Sequence, residues 1–538
     1  MKKIVLMVTL LVASALFAGD VEFSIKNTLK YGDGKQFGGD LKDIEAKKRY
    51  FEDWVDFNVS NGVFSLDLRL EAADPSEKGE KITEFTRKSI SFERNNLSVT
   101  AGDFYTIFGR GIVLDLREEK ANFFDNKIFG GKVEYSHDFF TIQALGGRSN
   151  YKYQDDSKAD PKLHTVEYMD NSILGADLVF NGSDYFEMED FSFNIGGSYL
   201  FMEGDSVNTS QYLYKENFIK KTELFGINAS INWKDIDFYN EYAIKSTHRS
   251  PRQEGWANYT SLSYFGLENF SFTLEYKDYY KFGANPNDLS SGFTPYQNPA
   301  QVVIDHTAHL LKNNAHNVNA NDEIGYQLQI RTTAIDNFEI ALIGAFSSLH
   351  DGNSIIPNAD ENFLPYYDVW GEGIYKGDHF GIKSGVGYFR DAKYEKNLGM
   401  DFDNSDYKSV YDERTTFITA VDFELSKNDL IKIDGEVQLV NHHSGEESHE
   451  YQDFYGSLEY SYPEIGYVNI SMIYTNGDGL SYDEDEVWIG YEAGYNISDN
   501  HKLELFYGRE RSGIKCSGGA CRQVPEFDGF KLSLISNF

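Results

Sequence analysis

Two stretches at opposite ends of the chain decide the fold: Val21-Glu22-Phe23-Ser24-Ile25-Lys26 and Phe530-Lys531-Leu532-Ser533-Leu534. In the first, Val21, Phe23, Ile25, Leu29 and Tyr31 are apolar, while Glu22, Ser24, Lys26, Thr28 and Lys30 are polar. In the last, Phe530, Leu532 and Leu534 share one parity, and the chain ends on the bare aromatic Phe538. Successive side chains of a strand point to opposite faces, so both stretches read as amphipathic strands. Pairing the first strand with the last closes a ring with no free backbone edge, which is what a sheet needs to cross a bilayer. The expectation is a single closed antiparallel transmembrane β-barrel of about 24 strands (22–26), filling residues 19–538.

The segment before it fits that destination. Lys2 and Lys3 precede an apolar run from Ile4 to Leu11, and small residues at Ala13, Ser14, Ala15 and Ala18 precede Gly19-Asp20. This is the pattern of a secretory signal peptide over residues 1–18. The apolar run is too short for a membrane-spanning helix.

Mean hydropathy is −0.48, as for a water-soluble protein, yet the chain holds 37 Tyr and 41 Phe. A transmembrane barrel reconciles the two, because only alternate residues face lipid and aromatic girdles mark both interfaces. With 10 Pro in 538 residues, little interrupts strand formation. The net charge of −35 argues against nucleic acid as a partner, since that needs a basic surface.

Period-2 segments recur throughout. Residues 63–71 alternate Phe64, Leu66, Leu68 and Leu70 with Ser65, Asp67, Arg69 and Glu71. Residues 270–277, 431–439 and 503–507 do the same, with charges on the second face that suit a hydrated lumen. Short turns such as Asn61-Gly62, Asn95-Asn96 and Lys234-Asp235 alternate with long connections at 32–50, 151–167, 204–219, 283–321 and 392–410. Outer-membrane barrels pair short periplasmic turns with long outer loops, so both termini are expected in the periplasm.

Four constellations could carry function. Residues 102–127 pack Gly102, Gly109 and Gly111 among aromatics with Arg110, Arg117 and Lys120. A connection so basic in an acidic chain is expected to fold into the lumen. Arg110 and Arg117, with inward Arg69 and Arg87, would then set a constriction facing acidic walls, unless these arginines are structural ion-pair partners. The longest connection carries His306 and His309, whose i, i+3 spacing on a short helix could share a metal near Asp305; the other reading is a packed helix partly capping the pore. His442, His443 and His449 lie among Glu446, Glu447 and Glu450, an acidic loop suited to weak divalent-cation binding. Cys516 and Cys521, the only cysteines, flank Gly518-Gly519 in an exported chain and are expected to form a disulfide staple.

The stretch Gly102-Asp103-Phe104-Tyr105…Phe108-Gly109-x-Gly111 resembles members of a large uncharacterised family of bacterial outer-membrane β-barrel proteins. So do Asp305-His306…Leu310-Leu311…Asn321-Asp322-Glu323-x-Gly325 and the ending Cys516-x-Gly-Gly-x-Cys521-Arg522-x-Val524-Pro525. The resemblance implies a porin-like barrel integral to the outer membrane and carries no established activity. Phe538 resembles the aromatic end by which barrel-assembly machinery recognises its clients. TonB-dependent transporters place a large plug before the first strand, for which the stretch ahead of Val21 leaves no room. Pilus ushers and lipopolysaccharide translocons carry soluble domains that this chain lacks.

No Gly-x-Ser-x-Gly, His-Glu-x-x-His or phosphate-loop signature is present, so an enzyme is not expected. The leading expectation is a channel for passive diffusion of small solutes, without a cofactor and partly occluded by inward loops. The alternative is a surface scaffold or adhesion barrel with a blocked lumen, binding a partner or divalent cations through acidic loops. The expected partners are outer-membrane lipid and the assembly machinery.

Overall fold

The computed structural model describes residues 21–37, 45–120, 124–154, 166–186, 188, 190–204, 221–247, 254–283, 295–312, 316–396, 407–426, 428–444, 447–477, 485–517 and 520–538. The expected signal peptide, residues 1–18, lies outside them.

Twenty-four antiparallel strands form one sheet that closes on itself. It begins with β1 (Glu22–Phe37), β2 (Glu45–Ser60), β3 (Phe64–Ala73), β4 (Ile82–Arg94) and β5 (Leu97–Phe104). The last strand, Glu526–Asn537, pairs with β1 from Lys26↔Asn537 to Phe37↔Glu526. The Phe538 amide then donates to the Ile25 carbonyl at 2.8 Å and its carbonyl accepts from the Ile25 amide at 3.1 Å, so the final residue completes the seam.

The alternation has the sense expected. On the outward parity Leu174, Ile227, Leu342, Val369 and Ile470 are each at least half exposed, and like residues surround the wall. A soluble monomer rarely exposes so large an apolar surface, and lipid is the solvent that suits it. Arg69, Lys277, Glu436 and Gln438 occupy the inward parity.

The connections at one rim are short, as at Asn95-Asn96 and Lys234-Asp235, where Asn95 and Lys234 take positive φ, apart from 182–190, which holds the short helix Gly182–Phe186. The long connections gather at the other rim. Several strands run further into that rim than the sequence pattern indicates. Residues 32–37 and 45–50 belong to β1 and β2, and 151–154, 166–167, 392–396 and 407–410 are also strand. Beyond the lipid both faces meet water, so nothing there enforces alternation. His442, His443 and His449 likewise sit in paired strands, Leu430–Ser444 and Glu447–Tyr462, with His442 opposite His449, rather than in a loop.

Candidate functional site: a lumen filled from one rim

The lumen changes character along its axis. On the strand Lys221–Trp233 the inward residues Thr222 and Leu224 are 1% and 0% exposed, whereas Asn228 and Ser230 are half-buried and Asn232 is exposed. The strand Glu254–Leu267 repeats this, from buried Ala257 and Tyr259 to half-buried Ser261 and Ser263. The long-connection end is filled with protein, and the short-turn end is a polar vestibule. Two connections do the filling.

The first lies between Phe104 and Ile128. Residues 102–104, assigned from sequence to this connection, belong to β5. Thr106–Phe108 pairs with Leu114–Leu116 to make a small hairpin inside the barrel. Phe108, Ile112, Val113, Leu114 and Leu116 are at most 1% exposed and pack on Leu145, Ile173, Leu200, Met202, Leu224 and Ala243 of the wall. Burying five such side chains contributes on the order of 10 kcal/mol, an upper estimate. Gly109 and Gly111 turn the tip, with φ of +56° and +98°. A Cβ at Gly109 would come within 2.8 Å of the Glu241 carboxylate oxygens, so left-handed backbone and close approach both require glycine there.

Arg110 sits at that tip and is exposed toward the vestibule. Its amide donates to Glu241 at 2.8 Å, its guanidinium lies 3.9 Å from the Tyr239 ring centroid, and Nη1 donates to the Tyr259 hydroxyl at 3.3 Å. Arg117 has a different fate. It pairs with Asp115, beneath the Phe124 ring, within the packed hairpin. Burial raises the Asp115 carboxyl against the lowering effect of Arg117.

Arg69 and Arg87 face inward, as the alternation requires. Arg69 Nε donates to Asp56 at 2.6 Å and its Nη1 pairs with Glu118; Arg87 Nη2 lies 2.9 Å from Asp56. Lys120 approaches Asp56 at 3.7 Å and stacks over Trp54. Burial, then the neighbouring Arg69, push the Lys120 ammonium down. Three cations therefore converge on two carboxylates and clamp the returning limb of the connection to β2, β3 and β4. Beside the clamp is a cavity of about 330 Å³ lined by Glu52, Trp54, Arg69, Glu118, Lys120 and Lys127, among others.

The second filling segment comprises residues 295–312 and 316–321. The Asp115 amide donates to the Tyr296 carbonyl at 2.8 Å, and the Asn298 amide to the Gly111 carbonyl at 2.9 Å. Asn126, 1% exposed, joins the two connections: its side chain donates to the carbonyls of Asp115 and Pro295, and its Oδ1 accepts from the Arg117 amide. No sequence signal marks Asn126, since its partners lie up to 169 residues away.

From there the segment crosses to the far wall. Ile304, Ala308 and Leu311 pack on Tyr366, Trp370 and Phe389. The short helix His309–Lys312 starts against Glu436, whose carboxylate accepts from the amides of His309 and Leu310 at 2.7 and 2.8 Å. Leu310 reaches Ile473 and Trp488. A cavity of about 580 Å³ remains between residues 298–312 and the wall at Tyr366 and Asp368.

The two candidate metal ligands go to different partners. His306 Nε2 bonds to Asp368 at 2.7 Å with its ring edge-on to Trp370, and His309 stacks on Tyr455 at 4.3 Å. Among the described residues no group of three or more His, Cys, Asp or Glu is arranged to hold a metal ion. The short helix His309–Lys312 packs against the wall through Leu310 and Leu311.

The segment returns to the wall through His316. Its ring bonds Asp391 at 2.9 Å and Glu323 at 3.1 Å and stacks on Tyr366 at 4.2 Å, while Glu323 also pairs with buried Lys277. Burial alone would pull this imidazolium down, but the two carboxylates outweigh it and raise His316 to about 9.

Cys516 and Cys521 face each other in the ribbon Gly513–Ser517/Ala520–Val524. Directly opposed antiparallel residues lie about 4.5–5.5 Å apart at Cα, within the span of a disulfide. Their side chains lie outside the described residues.

The fold is similar to that of several solved structures. The copper transporter OprC matches with a TM-score of 0.47 and 9% identity, over 97% of this chain and 81% of that one. The siderophore receptor PirA from Pseudomonas aeruginosa gives 0.45 and 10%, over 97% and 81%. The P pilus usher PapC translocation pore gives 0.39 and 9%, over 96% and 99%. No curated protein matches the chain in sequence. Over residues 1–538 the chain matches DUF6029, a family of unknown function, and it belongs to that family.

Proposed function

We propose that the protein is an integral outer-membrane channel for small hydrophilic solutes, closed at the long-connection rim by its own loops. The observation that carries this reading is the axial contrast in the lumen: buried Thr222 and Leu224 above, half-buried Asn228 and Ser230 and exposed Asn232 below. A polar vestibule ending on an exposed arginine is an arrangement for admitting water and ions. A purely mechanical barrel has no need of it. In this reading transport is passive, no catalytic group or cofactor takes part, and Phe538 addresses the chain to the assembly machinery.

The depth of the packing favours one competitor, a scaffold whose lumen stays blocked while its acidic rim binds a partner or divalent cations. Conductance in planar bilayers separates the two. The full chain should give small or rare openings, and a chain lacking residues 106–120 should give large, steady ones. Both proteins would first be checked for heat-modifiable migration on gels. Folded barrels that stay silent in both forms would reject the channel.

A further inference from the structure

The connection 349–365, between the strands Phe338–Ser348 and Tyr366–Lys376, does not enter the lumen. It folds down the outside of the wall. His350 bridges Asp322 at 2.6 Å and Asp278 at 3.1 Å. Both aspartates lie on the outward parity, in register with lipid-facing Leu274 and Leu328. Further along the loop, the Tyr326 hydroxyl donates to the Ile355 carbonyl at 2.7 Å. Outward Ile324 is 0% exposed while Leu328, one turn of the pleat beyond Tyr326, is 45% exposed, so the wall is covered down to Tyr326 and bare below it.

The loop is braced within itself. The Asn358 amide donates to Ser348 Oγ at 2.8 Å, its side chain to Asp351 at 2.7 Å, and the Leu349 amide to the Phe363 carbonyl at 2.8 Å. Despite that bracing, Ile355 and Ile356 are 66% and 63% exposed. A loop with so many internal bonds could have turned these side chains inward. They project instead at the upper edge of the apolar band formed by Leu328, Leu342 and Val369. Tyr326 and Tyr276, in tilted ring contact at 4.8 Å, mark the aromatic girdle at that height.

We propose that residues 349–365 form a membrane-seating loop, with Ile355 and Ile356 inserted among the acyl chains of the leaflet at the long-connection rim. The occupant is lipid because the patch is continuous with a surface that is already lipid-facing. The loop adds a lateral foot to the barrel, pinned to the wall by His350 and Tyr326. The proposal rests on the reading that the barrel spans a bilayer.

The test uses the full chain in the Cys516→Ser/Cys521→Ser background, reconstituted in phosphatidylcholine vesicles and carrying one spin label per variant. Labels at Ile355→Cys and Ile356→Cys should be relaxed by oxygen and shielded from a neutral nickel chelate. A label at Asn353→Cys should show the reverse, and one at Leu342→Cys on the wall should behave as lipid-exposed. If the Leu342 site reads as lipid but the isoleucine sites relax like Asn353, the seating loop is overturned while the barrel reading stands. Isoleucine sites shielded from both reagents, with cross-linked dimers in the same vesicles, would overturn it in favour of a second copy of the chain. A Leu342 site open to the nickel chelate would remove the membrane reading itself.

Discussion

The Arg110 amide donates to the Glu241 carboxylate across 2.8 Å of space and 131 residues of chain, which fixes the deepest point of the lumen hairpin to the wall. The same carboxylate accepts from the Tyr239 hydroxyl at 2.7 Å and from the Ile112 amide, so Glu241 holds three donors at once. Gly109→Ala would push a methyl group into these oxygens from a left-handed backbone. It should lower resistance to urea in micelles by about 1–3 kcal/mol and raise open-channel noise. A variant with the parent's urea midpoint and noise would show that the tip is not seated on Glu241.

Arg110 and Arg117 should separate in function. Arg110→Ala removes an exposed cation at the head of the vestibule, so the reversal potential in a salt gradient should move toward cations. Arg117→Ala removes the partner of Asp115 inside the hairpin, so it should cost stability and leave selectivity near the parent value. Equal selectivity shifts from both variants would contradict these placements.

His316 gives the second connection a pH limit. Its pKa is raised from 6.5 to about 9 by Asp391 and Glu323, with Lys277, Lys393 and Tyr366 completing its surroundings. A raised histidine adds stability that is complete below its unfolded value and lost as pH climbs through the folded value. Channel openings should therefore become more frequent as pH rises from about 6.5 to 9, above which the contribution is gone. His316→Gln should show frequent openings at neutral pH and little further change on alkalinisation. A parent protein whose gating is flat across that range would exclude His316 as the tether.

The two cysteines should be bonded to each other. Closing so short a loop contributes only about 2 kcal/mol, so Cys516→Ser should insert and migrate like the parent. Non-reducing mass spectrometry that finds two free thiols would disprove the staple.

Strand existence was legible wherever lipid and water lie on opposite faces, as at Phe64–Ala73 and Phe270–Tyr280. It faded above the membrane, where Lys47, Lys48 and Arg49 place charge on both parities of β2. The inward course of 105–127 could be read from its basic and glycine content. Its union with 295–321 could not, because Asn126 and Pro295 have nothing in their local sequence to announce one another. The outward course of 349–365 was equally hidden, depending on a histidine finding two aspartates on neighbouring strands.

The anchors of the second connection are unevenly spread along the chain. It leaves the wall after Phe282 and is held by Asp368, Asp391, Glu436, Ile473 and Trp488. All five anchors follow the connection in the chain and stand on five different strands, so the segment acts as a cross-brace that ties widely separated staves of the wall to one another.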